Sequence, residues 1–258
     1  MKEKNKIFKR LVIFTIAVTM FLAAFLLLPT TSAADHYVNP GDDIQAVINA
    51  GGNYDTIYFA AGTYNPTATI TINKPLTLLG PQSGVDPRPF VGSTRNPGDI
   101  LAEAIIDGNG IYQIFYIDAD DVIIDGLEVC NGSGDLIRQS NAHSGTIIRN
   151  CIVHDAIDDE GIQLASCTNG IIENNYIYDL AQDGASFAAS TNCAIRDNEI
   201  TTSNSENGAI FVYDSSDITI EGNYVHHTSA NNGIKLYTNI GDIDIINNLI
   251  SENEWEIK

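Results

Sequence analysis

Four short runs place acids or amides just ahead of a recurring glycine: Asp158-Asp159-Glu160 before Gly161, Gln182-Asp183 before Gly184, Glu206-Asn207 before Gly208, and Asn231-Asn232 before Gly233. After each glycine comes a strand-like triplet whose middle residue is expected to face outward: Gln163, Ser186, Ile210 and Lys235. Glu160 and Asp183 hold the same place in successive runs. On adjacent strands of a stacked sheet their carboxylates would lie about 5 Å apart, which suits a pair that hydrolyses a glycosidic bond. On another face Tyr176, Tyr178 and Tyr224 offer flat rings for stacking on sugars. His154 and His226 share that face but stand three units apart, too far to share a metal.

These placements rest on a repeat. Between Asp121 and Ile250 the segments VIIDGLEV, TIIRNCIV, GIIENNYI, AIRDNEI, ITIEGNYV and IDIINNLI align as six copies of one unit. An inward isoleucine recurs at Ile124, Ile148, Ile172, Ile195, Ile220 and Ile245, in steps of 24, 24, 23, 25 and 25. A second apolar column follows at Val129, Val153, Ile177, Ile200, Val225 and Ile250, and between the two stand Leu127, Cys151, Asn175, Asn198, Asn223 and Asn248. Glycine recurs at 134, 161, 184, 208 and 233. The apolar residues alternate in short β-branched runs, with no helical spacing. One such unit cannot bury its apolar side alone. Coils stacked about 4.8 Å apart put like over like and build a continuous core. A β-sandwich would instead show turns every ~8–12 residues without column identity. The fold class is therefore all-β, a parallel solenoid, with asparagine side chains laddered along one bend.

Before the repeats, residues 1–34 read as a signal peptide. Lys2, Lys4, Lys6, Lys9 and Arg10 precede an apolar run from Leu11 to Leu28, and small residues around Ala33 and Ala34 offer a cleavage site. Uncleaved, the run would anchor the chain in a membrane, the one membrane contact expected. Either way the chain is expected to be secreted or held at the cell surface. Losing residues 1–34 removes five bases and one acid, leaving 8 Lys+Arg against 32 Asp+Glu, a charge near −24. Nucleic acid is excluded as a partner, because its phosphates would be repelled. Residues 35–110 form the cap and first coils, starting with a short helix at Asp42–Ile48. Residues 80–99, rich in Pro, Gly and Asp, leave the coil wall, and residues 111–258 continue the same solenoid. Cys130, Cys151, Cys167 and Cys193 fall in columns where none stacks directly on another, so buried free thiols are expected. The chain stops partway through a coil, either at a blunt end or as a piece of a longer array.

The repeat resembles the right-handed parallel β-helix superfamily of pectate-lyase-like proteins, over most of the chain beyond residue 34. The order of helix, DTIYFAAGTY and ITINKPLTLLG is similar to the start of many exported β-helix proteins, where the helix covers the open core. Asp-Asp-Glu-Gly-Ile-Gln-Leu at 158–164 and Asn-Asn-Gly-Ile-Lys-Leu at 231–236 resemble two segments of calcium-dependent pectate lyases that use a lysine base. That resemblance implies Asp158, Asp159 and Asp183 as Ca²⁺ ligands and Lys235 as the group that removes a proton beside a uronate carboxylate. Gln163, Tyr176, Tyr178 and Tyr237 are the expected substrate contacts. Three functions follow: an exported solenoid that binds a polysaccharide or cell-surface glycan, or serves as an adhesive module, without catalysis; a calcium-dependent polysaccharide lyase acting by β-elimination; and a glycoside hydrolase.

Overall fold

The computed structural model describes residues 32–201, 207–226, 232–238, 241–251 and 255–257. Residues 1–31 of the expected signal peptide, Glu206 and Asn231 lie outside them. The described chain is a right-handed parallel β-solenoid with three sheets. The first runs from Asp35–Val38 to Ile243–Ile246, the second from Gly62–Tyr64 to Leu249–Ser251, and the third from Ile70–Ile72 to Trp255–Ile257. Every pairing between strands is parallel, as successive turns of one winding require. Ile124, Ile148, Ile172, Ile195, Ile220 and Ile245 pair in register, as do Val129, Val153, Ile177, Ile200, Val225 and Ile250. Most of these side chains are fully buried, and each such burial is worth roughly 1.5–3 kcal/mol, so the stacked columns are the core.

The bend between the first and second sheets explains the polar column. Asn175 Oδ1 accepts from the Cys151 amide at 2.9 Å, Asn198 Oδ1 from Asn175 N at 3.0 Å, Asn223 Oδ1 from Asn198 N at 3.0 Å, and Asn248 Oδ1 from Asn223 N at 2.9 Å. Each amide nitrogen donates in turn to a carbonyl of the coil below, such as Asn198 Nδ2 to Ile172 O at 2.9 Å. The residue just before each rung has positive φ: Gly126, Asn150, Asn174, Asp197, Gly222 and Asn247. Left-handed backbone is tolerated by glycine and, with help from its side chain, by Asn and Asp. One dipeptide in each coil thus makes the bend and satisfies it.

The N-terminal end is closed by helix α1 (Ile44–Ala50), capped by Asp43, whose Oδ1 accepts from Ala46 N at 3.1 Å. Ile44 and Ile48 bury into the core. Gln45 clips the cap onto the edge strand, accepting from Thr71 N at 2.7 Å and donating to Thr71 O at 3.1 Å, which covers a strand edge that would otherwise be open.

Residues 80–99 do leave the wall, and with residues 100–102 they form a strap along the solenoid axis. Gly84 N donates to Asp125 Oδ1, Arg95 to Asn150 O, Arg88 to Asn174 Oδ1, and Phe90 N to Glu199 Oε2. The Phe90 ring lies 4.3 Å from that of Tyr224. The strap therefore touches five successive coils over the corner and outer face of the second sheet, and Gly98 returns to Glu128. Gly126 lets it pass: a Cβ there would meet Ser83 N at 2.3 Å.

Two expected alignments shift. Ile137 pairs with Ile162, Ala185 with Ile210, and Ile210 with Ile234, so the place before the strand runs Leu136, Gly161, Gly184, Ala209, Gly233 instead of through Gly134 and Gly208. The segment from Ile200 to Ala209 is two residues longer than that from Ile177 to Gly184. Alanine fills the place that glycine marks in the neighbouring coils. Ile210, expected to face outward, is fully buried, and Phe211 takes the outward place.

Candidate functional site

The corrected register lines up one outward column on the third sheet: Tyr116, Arg138, Gln163, Ser186, Phe211 and Lys235. Two residues ahead of the paired Ile137, Ile162 and Ala185 stand Asp135, Glu160 and Asp183, one carboxylate on each of three successive coils, all buried. Asp135 pairs with Arg138, and its Oδ1 is buried without a hydrogen-bond partner. Glu160 accepts from Gln163 Nε2 at 2.9 Å through one oxygen and meets Ser186 Oγ through the other. Burial, and then the charge of Asp183, hold the Glu160 carboxyl well above the usual range. Asp159 is also raised, by burial and by Asp135.

Asp183 is used differently. Its Oδ1 accepts from Gly208 N at 3.2 Å and its Oδ2 from Asn207 Nδ2 at 3.3 Å. The Asn207 amide is thereby oriented, and its Oδ1 accepts from Lys235 Nζ at 2.9 Å. Lys235 Nζ also lies 5.5 Å from the Phe211 ring centroid, within cation–π reach. Beside it the Tyr213 and Tyr237 rings stack with centroids 5.8 Å apart and planes 15° apart, both exposed. Asn207, Phe211, Tyr213, Lys235 and Tyr237 line a shallow cleft of about 410 Å³. A larger hollow of about 520 Å³ lies between α1 and residues 63–70, but no cation lines it, so the third-sheet cleft is the better seat for an anionic ligand.

The expected substrate contacts divide between two faces. Gln163 and Tyr237 belong to the third sheet. Tyr176 and Tyr178 lie on the second, half-buried, where Tyr178 stacks on His154 at 4.7 Å and Tyr224 is met by the strap. The residues expected to hold calcium differ in their settings. Asp158 is exposed, Asp159 is half-buried, and both oxygens of Asp183 are engaged by the next coil. Among the described residues, the group of three or more acidic, His or Cys donor atoms lying within 4.8 Å of one another is Glu128, Cys130 and His154.

The family profile described as "Right handed beta helix region" matches residues 96–254. The chain belongs to the right-handed β-helix family. Among solved structures it is similar to the pectate lyase Pel9A, at 15% identity and a TM-score of 0.64, over 87% of this chain and 65% of that one. It is likewise similar to an alginate lyase from Paenibacillus sp. str. FPU-7, at 15% identity and a TM-score of 0.64, over 83% of this chain and 75% of that one. The chain thus spans under two thirds of the length of Pel9A. No curated protein matches it in sequence. At this identity the likeness is one of fold, and the residues in the groove of this β-helix must be argued on their own.

Sequence reasoning missed Arg138, Phe211 and Tyr213. The alternation of Ile137-Arg138-Gln139 held a signal for the first; the other two became visible only once the register was corrected. The carboxylate column makes a testable demand. A carboxyl raised on folding supports the folded state while protonated and costs stability as pH rises through its folded value. Glu160→Gln is therefore expected to become more stabilising, relative to the wild type, as pH rises from 4 to 7. Urea unfolding at the two pH values checks this, and an equal effect at both would show that the Glu160 carboxyl is not raised on folding.

Proposed function

We propose that the chain is an exported β-helix protein that binds an acidic polysaccharide along the outer face of the third sheet. The observation that carries this reading is Lys235 set in an aromatic cleft, with Phe211 beneath it and the exposed Tyr213 and Tyr237 rings alongside. Aromatic faces take the apolar faces of sugar rings, and an ammonium group takes a carboxylate. In a chain with a formal charge of −20, such a local cation is what lets an anionic glycan approach. The pectate and alginate lyases that share the fold make pectate and alginate the first glycans to test. Affinity electrophoresis in gels containing polygalacturonate or alginate should retard the chain, and Lys235→Ala and Tyr237→Ala should each weaken retention by about tenfold. Retention unchanged by both substitutions would place the glycan elsewhere. Export is checked in the same preparation: the secreted chain should begin near Ala33 or Ala34 by intact mass.

A second reading, a polysaccharide lyase acting by β-elimination, is favoured by the chain of contacts from Asp183 through Asn207 to Lys235. A carboxylate that fixes an amide, which in turn fixes an amine, holds that amine at one point above the groove. Lys235 would then remove the proton beside the uronate carboxylate. Calcium is kept as a variable, and the assay follows unsaturated product absorbance with added Ca²⁺ and with chelator. Product formation abolished by Lys235→Ala would support the lyase. Binding without product on either glycan would leave binding alone.

A further inference from the structure

We propose that Glu128, Cys130 and His154, on the outer face of the second sheet, form a binding site for one zinc-class divalent metal ion. This site is separate from the glycan groove, which lies on the third sheet. Cys130 and His154 are direct partners in the parallel register, so the thiol and imidazole project side by side from adjacent coils. Glu128 stands two residues before Cys130 on the same strand and therefore shares its face. One donor atom from each lies within 4.8 Å of the others, and all three residues are buried. Sulfur, imidazole nitrogen and carboxylate oxygen together form a donor set that zinc accepts and that calcium or magnesium would not select.

The surroundings hold the donors in place. His154 Nδ1 lies 2.8 Å from Asp155 Oδ2, which leaves Nε2 directed at the cluster, 2.9 Å from Glu128 Oε1. A carboxylate behind a ligating histidine is the usual outer partner at zinc centres. Glu128 is fixed from the other side by the strap, since Gly98 N donates to both of its oxygens at 2.9 Å. Tyr178 stacks flat on the imidazole, with planes 6° apart. Burial pushes the Cys130 thiol up to about 12. Binding sends to solvent the Cys130 thiol proton and the proton that His154 Nε2 shares with Glu128, as the sulfur–metal and nitrogen–metal bonds form, and the ion's charge offsets that of the new thiolate. Three protein donors leave a fourth position for water.

The experiment uses the full chain, freed of metal by chelator and titrated with Co²⁺. One equivalent should give a thiolate-to-cobalt charge-transfer band and the visible bands of tetrahedral cobalt, and Zn²⁺ should displace both. Cys130→Ser should remove the charge-transfer band, His154→Gln should weaken binding by about tenfold or more, and Cys193→Ser should change neither. Because a buried substitution can unfold the chain, the wild type also carries the test. X-ray absorption of the zinc-loaded protein should show one sulfur per zinc, with nitrogen or oxygen filling the rest of the shell. No charge-transfer band, a band that survives Cys130→Ser, or a shell with no sulfur or two sulfurs would overturn the site.

Discussion

Asn198→Ala is expected to cost about 3–5 kcal/mol of folding stability, far more than the same substitution at Asn248. Asn198 sits in the middle of the ladder and is fully buried. Its Oδ1 accepts from both the backbone N and the side-chain Nδ2 of Asn175, each at 3.0 Å. Its Nδ2 donates to Ile172 O at 2.9 Å and to Asn223 Oδ1 at 3.0 Å. Truncation leaves the Asn175 amide N–H and the Ile172 carbonyl in a dry bend with nothing to replace the lost partner, and each such orphan costs about 1–3 kcal/mol. Asn248, by contrast, is half-exposed on the last described rung, where water reaches the freed groups, so about 1 kcal/mol is expected there. Urea denaturation of the two variants, compared by midpoint at constant slope, measures the contrast. Equal losses would mean that the ladder is a by-product of stacking and not one of its supports.

The fold was legible because a solenoid repeats its instructions. Side-chain identity at one place in six units is a stronger signal than any propensity, and Ile124 to Ile245 and Asn175 to Asn248 carried it. The groove was legible only in part. Glycine marks the place before the strand at 161, 184 and 233, but Leu136 holds it one coil earlier and Ala209 holds it between 184 and 233, and the second of these shifts the outward face by one residue, from Ile210 to Phe211. Lys235 kept its place because the shift had ended by Ile234. What makes Lys235 distinctive, the link through Asn207 to Asp183, is a matter of side-chain direction that spacing does not encode. The strap was harder still. Residues 80–102 do not repeat, and their partners lie as far away in sequence as Glu199, so composition marked an excursion without saying where it goes. Cys130 and His154 stand one 24-residue period apart, so the repeat itself implies their pairing, whereas the place of Glu128 beside them rests on side-chain contacts with the strap and the imidazole that spacing does not encode.

The strap also sets the second large effect. Arg95→Met should destabilise the chain by about 3–5 kcal/mol, while Arg95→Met combined with Glu103→Leu should recover much of that loss. The Arg95 guanidinium donates to Glu103 through Nε at 2.9 Å and through Nη2 at 2.7 Å, and both side chains are almost wholly buried, 2% and 0% exposed. Its Nη1 binds two carbonyls, Val85 O in the strap and Asn150 O in the coil wall. One side chain thus joins the strap to itself, to the strand that follows it, and to the coil beneath. Removing the arginine leaves a carboxylate in the dry interface with no cation, which is the costly half of a buried ion pair. Replacing both residues by apolar ones removes that penalty. The double variant then lacks only the links to Val85 and Asn150, which would normally be worth about 1.5–3 kcal/mol each as charged hydrogen bonds but are partly replaced by burial of the new side chains. The strap should also loosen before the coils do, so proteolysis between Gln82 and Ala102 should accelerate in the single variant under conditions where far-ultraviolet circular dichroism is unchanged. A double variant less stable than the single would mean that the pair's charge, and not its geometry, holds the strap down.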